Sequence, residues 1–253
     1  MAKNNHAVMK AMIFAAGLGT RLQPLSNHTP KALIAPAGKP MLQLIAEKLI
    51  KAGVNNIVIN IHHHHEKVLN FVSGLRYPGV TFSISDESNM LLDTGGGLLK
   101  ARHLLEGKEP VILHNVDILS DVDLAAMLRH HLKCNPLATL AVCNRDSDRV
   151  FLWNGQQLAG WENTGTGQKI LCTTSDDELL KPMAFSGIHI ISPKIFSLIT
   201  ETGIFSLTPL YLRLAKEEQI IPFEHNPERW IDIGTPGKIQ AAQMLIEQYP
   251  NAF

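Results

Sequence analysis

Apolar residues along the chain fall into short unbroken runs separated by segments with helical spacing. Residues 11–16 carry no polar side chain and read as a buried strand. Asn56–Ile61, rich in β-branched residues, reads as a second strand; residues 80–85 and 110–114 read as a third and a fourth. Between them, residues 41–52 place Leu42, Ile45, Ala46 and Leu49 at helical spacing, with Gly53 as the stop. Further helices are expected over residues 66–72, 98–105 and 123–132. Strands alternating with helices predict an α/β fold with a sheet covered on both faces. Ligands in such folds gather at the carboxyl ends of the strands.

The pattern changes after Asn135-Pro136. Residues 137–143 and 183–191 read as strands. Residues 150–153 and 157–161 flank Asn154-Gly155, a strong hairpin signal. Ser192-Pro193, Thr208-Pro209 and Thr235-Pro236 each predict a helix start, with a capping hydroxyl and a proline preset for the first turn. Low-complexity linkers and internal repeats are lacking. These features predict a leader over residues 1–8 without fixed structure and one domain over 9–253. It divides into a first half (9–135) of alternating strands and helices and a second half (136–253) of mixed pattern. The central sheet is expected to be mixed and mainly parallel.

Composition narrows the picture. The 253 residues contain 23 Lys and Arg and 23 Asp and Glu, so the formal net charge is zero. A nucleic-acid-binding domain would carry a basic excess. Cys134, Cys143 and Cys172 have no metal-ligand spacing, and their odd number opposes a disulfide framework. They read as reduced thiols of a cytoplasmic protein. No apolar run approaches the roughly 18 residues of a membrane helix. The consecutive histidines 62–65 alternate in direction, so they read as a loop beyond the second strand rather than as a metal site.

The chemistry concentrates after the first strand. Gly17-Leu18-Gly19-Thr20-Arg21 follows it directly, and Lys31 lies on the same stretch. Two glycines permit positive φ and close backbone approach. Successive N–H groups in such a turn make an anion nest, and an arginine and a lysine beside it suit polyphosphate. The spacing is neither a Walker loop nor the dinucleotide fingerprint, since Leu22 stands where the third glycine belongs. Asp117 follows the fourth strand in Asn115-Val116-Asp117, and Asp232 lies in Trp230-Ile231-Asp232-Ile233-Gly234-Thr235. Two carboxylates at strand ends suit one Mg²⁺. Asp93-Thr94-Gly95-Gly96-Gly97 precedes a helix and allows close backbone approach to a planar ring.

The string G-x-G-T-R with Pro24 and Pro30-Lys31, the Asn115-x-Asp117 pair and the W-x-D-I-G-T-P block together resemble the sugar-1-phosphate nucleotidyltransferases. That resemblance implies a Rossmann-like fold, NTP and a sugar 1-phosphate as substrates, and Mg²⁺ as cofactor. It implies catalytic roles for Arg21 and Lys31 and metal ligation by Asp117 and Asp232. Nucleotide contacts would come from Ala16, Gly17, Leu18, Gly19, Thr20, Asp93, Thr94, Gly95, Gly96 and Asn115. Acceptor contacts would come from Glu162, Ser186 and Gly187. The sequence departs from the family at Asn163, where many members carry a lysine; either Lys169 or Lys181 substitutes for it, or the acceptor phosphate is held differently. The short branch that includes N-acetylmuramate-1-phosphate uridylyltransferase is the best match, with mannose- and heptose-1-phosphate guanylyltransferases next. A regulatory homologue that binds the nucleotide sugar without turnover, and a phosphocholine cytidylyltransferase, are the alternatives. No nucleic-acid or membrane partner is expected, and the protein is expected as a monomer or small homo-oligomer.

Overall fold

A computed structural model describes residues 9–173 and 179–253. The leader expected over residues 1–8 lies outside the described residues. Strand β1 (Lys10–Phe14) is central, flanked in parallel by β2 (Asn56–Ile61) and β4 (Val111–Asn115), with β3 (Thr81–Asp86) beyond β2. The β1 run ends at Phe14, so Ala15 and Ala16 already belong to the loop that carries the glycines.

Alternation along β1 explains the two layers. Ala11 and Ile13 face one core with Ile57 and Ile59, covered by α1 (Met41–Lys51), α2 (His65–Gly74), α5 (Leu124–Cys134) and α8 (Pro236–Gln248). Met12 and Phe14 face the other with Val58 and Leu113, covered by α3 (Asp93–Lys100), α4 (Arg102–Leu105), α6 (Ile195–Leu198) and α7 (Leu207–Leu214). Successive strand side chains point to opposite faces, so one apolar run feeds both cores.

The second half extends the same sheet with mostly antiparallel pairing. Long strand β10 (Lys181–Ile191) lies antiparallel to β4, to β6 (Ala138–Cys143) and to β7 (Arg149–Asn154). The hairpin partner β8 (Gln157–Asn163) and then β9 (Gln168–Leu171) complete that edge, while β11 (Ile220–Glu224) runs parallel to β6. The register of β10 shifts between Phe185 and His189, where Gly187 has φ +74°. A Cβ at Gly187 would lie 2.7 Å from Ile118 Cγ1, so only glycine fits. A separate ribbon pairs β5 (Ile118–Ser120) with β12 (Trp230–Asp232).

Several expectations are corrected. The helix expected over 98–105 is two, α3 and α4, and α3 begins at Asp93. Helix α7 starts at Leu207 with Ser206 as its cap position, so Pro209 lies inside the first turn instead of opening it. After Ser192-Pro193 only the four-residue α6 forms. Thr235 does occupy the cap position of α8, with Pro236 in the first turn, but its hydroxyl makes no capping hydrogen bond. Strands β5, β9, β11 and β12 went unread because they are short, exposed or broken by proline, and pairing defines them.

Candidate functional site

Two cavities open along the carboxyl ends of β1 and β4 and meet at Asn115 and Asp117, which line both. The first has a volume of about 540 Å³. Ala16, Gly17, Gly19 and Lys31 line one side of it, with Asp93, Thr94 and Ile204 also in its wall. Leu18 and Thr20 point outward and line neither cavity. A Cβ built at Gly17 meets nothing within 4 Å, so packing does not require glycine there.

The floor of this cavity is a buried relay. Asn60, at the end of β2, accepts the Ala15 N–H at 2.7 Å and donates to Glu87 Oε1 at 2.7 Å. Glu87 is 0% exposed and also accepts the Leu92 N–H through Oε2 at 3.1 Å. The relay ties the glycine loop to the entry of α3. Asn60 and Glu87 were not anticipated, although both follow the carboxyl-end rule that located Asp117.

The three glycines of α3 have a different basis from the one expected. The N–H groups of Gly95 and Gly96 both donate to Phe205 O, at 2.8 and 3.1 Å. A Cβ at Gly95 would sit 2.3 Å from the Phe205 ring, one at Gly96 2.4 Å from Gly203 O, and one at Gly97 2.7 Å from Glu87 Oε1. Neither Gly95 nor Gly96 lines a cavity. These glycines admit the 203–205 segment and Glu87, and it is Asp93, Thr94 and Ile204 that border the first cavity.

At the junction, Lys31 Nζ forms an ion pair with Asp117 Oδ2, with side chains only 11% and 22% exposed. The β5–β12 ribbon brings the second carboxylate alongside: Ile233 N donates to Asp117 O at 2.9 Å, and Asp232 stands opposite Ile118. Asp232 accepts the Gly234 N–H at 3.0 Å and pairs with Lys238. Burial pushes the Asp232 carboxyl up, but the Lys238 hydrogen bond and charge, the Gly234 N–H and the Arg21 charge outweigh it and hold its pKa below the ordinary value. Both carboxylates face the second cavity. Among the described residues no three His, Cys, Asp or Glu side chains form a cluster that could hold a metal. Two aspartates beside space for phosphates still fit Mg²⁺, which binds through one or two carboxylates plus substrate oxygens.

The second cavity, about 370 Å³, is lined by side chains: Arg21, Arg145, Arg149, Phe151, Trp161, Phe185, Thr208 and Trp230, besides Asp117, Asp232 and Gly187. Arg21 faces this cavity rather than the first. Glu162 follows Trp161 on β8 and does not line it. Ser186 is 0% exposed, and its hydroxyl lies 2.7 Å from His225 Nε2 and 3.6 Å from Cys143 Sγ, turned away from the cavity. Lys181 pairs with Glu224, and Lys169 stands opposite Glu162; neither borders the cavity. Histidines 62–65 lie elsewhere: His62 Nδ1 is 2.6 Å from Glu87 O, and His64 Nε2 is 3.2 Å from Ser26 O. A larger hollow of about 620 Å³ between α1, the start of α5 and residues 251–253 shares no lining residue with either cavity.

A junction of two cavities at paired carboxylates, with a lysine and a glycine-loop backbone on one side, is built for moving a phosphate-linked group from one ligand to another. The nucleotidyl transferase family model matches residues 10–151. The N-acetylmuramate alpha-1-phosphate uridylyltransferase of Caulobacter vibrioides is 32% identical over 244 residues, covering 94% of this chain and 97% of that protein. A probable mannose-1-phosphate guanylyltransferase 2 from Oryza sativa is 29% identical, covering 90% of this chain and 62% of that protein. The solved UDP-glucose pyrophosphorylase of Acinetobacter baumannii has the same fold, with a TM-score of 0.79 at 16% identity over 97% of this chain and 95% of its own. The chain belongs to the nucleotidyl transferase family.

Proposed function

We propose that the protein transfers a uridylyl group from UTP to an N-acetylated hexosamine 1-phosphate, N-acetylmuramate 1-phosphate first, and releases pyrophosphate. One observation carries the reading of the reaction: two cavities share Asn115 and Asp117, with Lys31 on the nucleotide side and Asp232 facing from the acceptor side. The likeness to the Caulobacter vibrioides enzyme over nearly the whole chain supports the choice of base and sugar. GTP with mannose 1-phosphate is the second reading, favoured by the Oryza sativa relative.

An oxygen of the acceptor phosphate attacks the α-phosphorus; the bond to the bridging oxygen breaks, and pyrophosphate leaves with the electron pair. No protein nucleophile is needed, so the residues position and neutralise. The Gly17–Gly19 backbone receives the NTP phosphates. Lys31, held at the junction, neutralises charge growing on the α-phosphate. Arg21 adds positive charge from the acceptor side. Asp117 and Asp232 would hold Mg²⁺, which when bound screens the phosphate charges. The three free cysteines support a cytoplasmic setting. Pyrophosphate release over a matrix of four NTPs and several sugar 1-phosphates tests this. Release with no pair, or release without any sugar 1-phosphate, would overturn it.

A further inference from the structure

The second cavity holds more positive charge than its own carboxylates balance. Asp117 and Asp232 each already face a lysine, yet Arg21, Arg145 and Arg149 also line the wall. The three guanidiniums are held in different ways. Arg21 packs against Gly234, next to Asp232: a Cβ at Gly234 would lie 2.8 Å from Arg21 Nη2 and 2.5 Å from Asp232 Oδ1. Arg145 is clamped. Its Nη2 donates to Phe185 O at 2.8 Å, its Nη1 to Asp146 O at 3.3 Å, and its guanidinium lies 3.9 Å over the centre of the Trp230 ring. Its Nε is buried without a hydrogen-bond partner.

Arg149 is the exception. Only its backbone hydrogen-bonds, both times to Ser147, and its side chain has no counter-ion among the described residues. Asp146 and Asp148, between Arg145 and Arg149, do not line the cavity. Arg149 opens β7 opposite Asn163, and it borders the second cavity only. On the proposed reading the acceptor phosphate lies where Asn115 and Asp117 join the two cavities, and Arg149 is not among the residues the cavities share. Two guanidiniums four residues apart, one fixed and one without a counter-ion among the described residues, face a space walled by Phe151, Trp161 and Trp230. Like charges gathered on one wall favour an anion between them, and a guanidinium fork matches a carboxylate bidentately.

We propose that Arg149, with Arg145 as the fixed cation beside it, selects an acceptor sugar carrying a carboxylate in addition to its 1-phosphate. The inference rests on the reading that this cavity takes a sugar 1-phosphate, and it names the residue that tells acidic from neutral acceptors. N-acetylmuramate 1-phosphate carries such a carboxylate on its lactyl ether; N-acetylglucosamine 1-phosphate is the same hexosamine without it.

The test compares these two acceptors with saturating UTP, reading pyrophosphate release by wild type, Arg149→Ala and Arg149→Lys. Arg149 is exposed, so the variants should melt with the wild type. Loss of a charge-assisted pair should raise KM for the acidic acceptor by about thirtyfold in Arg149→Ala, with kcat little changed. The neutral acceptor should stay within about twofold of its wild-type kcat/KM. Arg149→Lys should recover part of the loss, because a point charge lacks the fork. Equal loss with both acceptors would assign Arg149 to the shared phosphate and overturn the proposal. So would no loss with either, or a wild-type preference for the neutral acceptor. Wild-type enzyme inactive with both acceptors and every NTP would instead overturn the underlying reading, and that result needs no variant.

Discussion

The two cavities meet at the same aspartate but are made of different material. The first is a glycine-loop backbone held by buried side chains: the Asn60 amide and the Glu87 carboxylate behind it, each hydrogen-bonded to the next. The second is shaped by side chains, three arginines and four aromatics, one of the arginines without a partner among the described residues. A site of fixed backbone donors suits the invariant part of a reaction, the nucleotide phosphates. A site of exchangeable side chains suits the part that differs between enzymes. On the proposed reading, the contrast teaches that reaction class and acceptor choice are written in different kinds of structure.

The largest expected effects fall at the junction, where the contrast should vanish. Asp117→Ala and Asp232→Ala should each lower kcat about a hundredfold or more, although one belongs to the first half and one to the second. Pyrophosphate release over a Mg²⁺ titration measures this; full activity in excess EDTA would break the shared-junction account. Next comes a comparison of the two lysines. Lys31 lines the first cavity, whereas Lys238 lines neither. Lys31→Ala should cost kcat about a hundredfold with little change in KM for NTP, since its charge acts as the transition state forms. Lys238→Ala should stay within roughly tenfold. A pure KM effect at Lys31 would remove its assigned role.

Glycine substitutions separate fold from ligand. Gly95→Ala forces a Cβ to 2.3 Å from the Phe205 ring and should destabilise by about 1–3 kcal/mol, read in urea unfolding. Gly17→Ala meets nothing in the protein and should unfold with the wild type while raising KM for NTP. Identical behaviour of the two would erase the distinction drawn between their loops.

The smallest effect at neutral pH concerns three buried histidines that line neither cavity. Burial lowers the pKa of His114 and His189 to about 3 and of His131 to about 4. All three stay neutral in the folded state, while the unfolded chain protonates near 6.5. Their contribution to stability is therefore complete above about 6.5 and is lost as pH falls from there towards 4 and 3. Tm should be flat from pH 7 to 8 and drop progressively below pH 6; a Tm that rises on acidification would contradict the sign.

What was legible in the sequence follows from locality. Apolar runs located β1, β2 and β4 within a residue or two, because these strands are buried on both faces and need a largely apolar string; β3 lay as close through alternation, with its side chains mostly half-buried or exposed. Gly17, Lys31, Asp117 and Asp232 stood out because backbone approach, charge and strand-end position are properties of single short stretches. The sequence by itself therefore determined these strands and marked out those four residues, and the family followed from the resemblance of its motifs to the sugar-1-phosphate nucleotidyltransferases. Partnership across the chain was not legible. Gly95 and Gly96 read locally as ligand contacts, but their N–H groups donate to Phe205 O; Ser186 reads as an acceptor contact, but its hydroxyl lies against His225. Arg21, expected with the glycine loop at the polyphosphate, lines the second cavity. Arg145 and Arg149 carried no motif; the hairpin and the β10 bulge set them in the wall. Only the tertiary structure decided these, because which face a side chain presents depends on pairing between strands far apart in sequence, and no local pattern encodes that register.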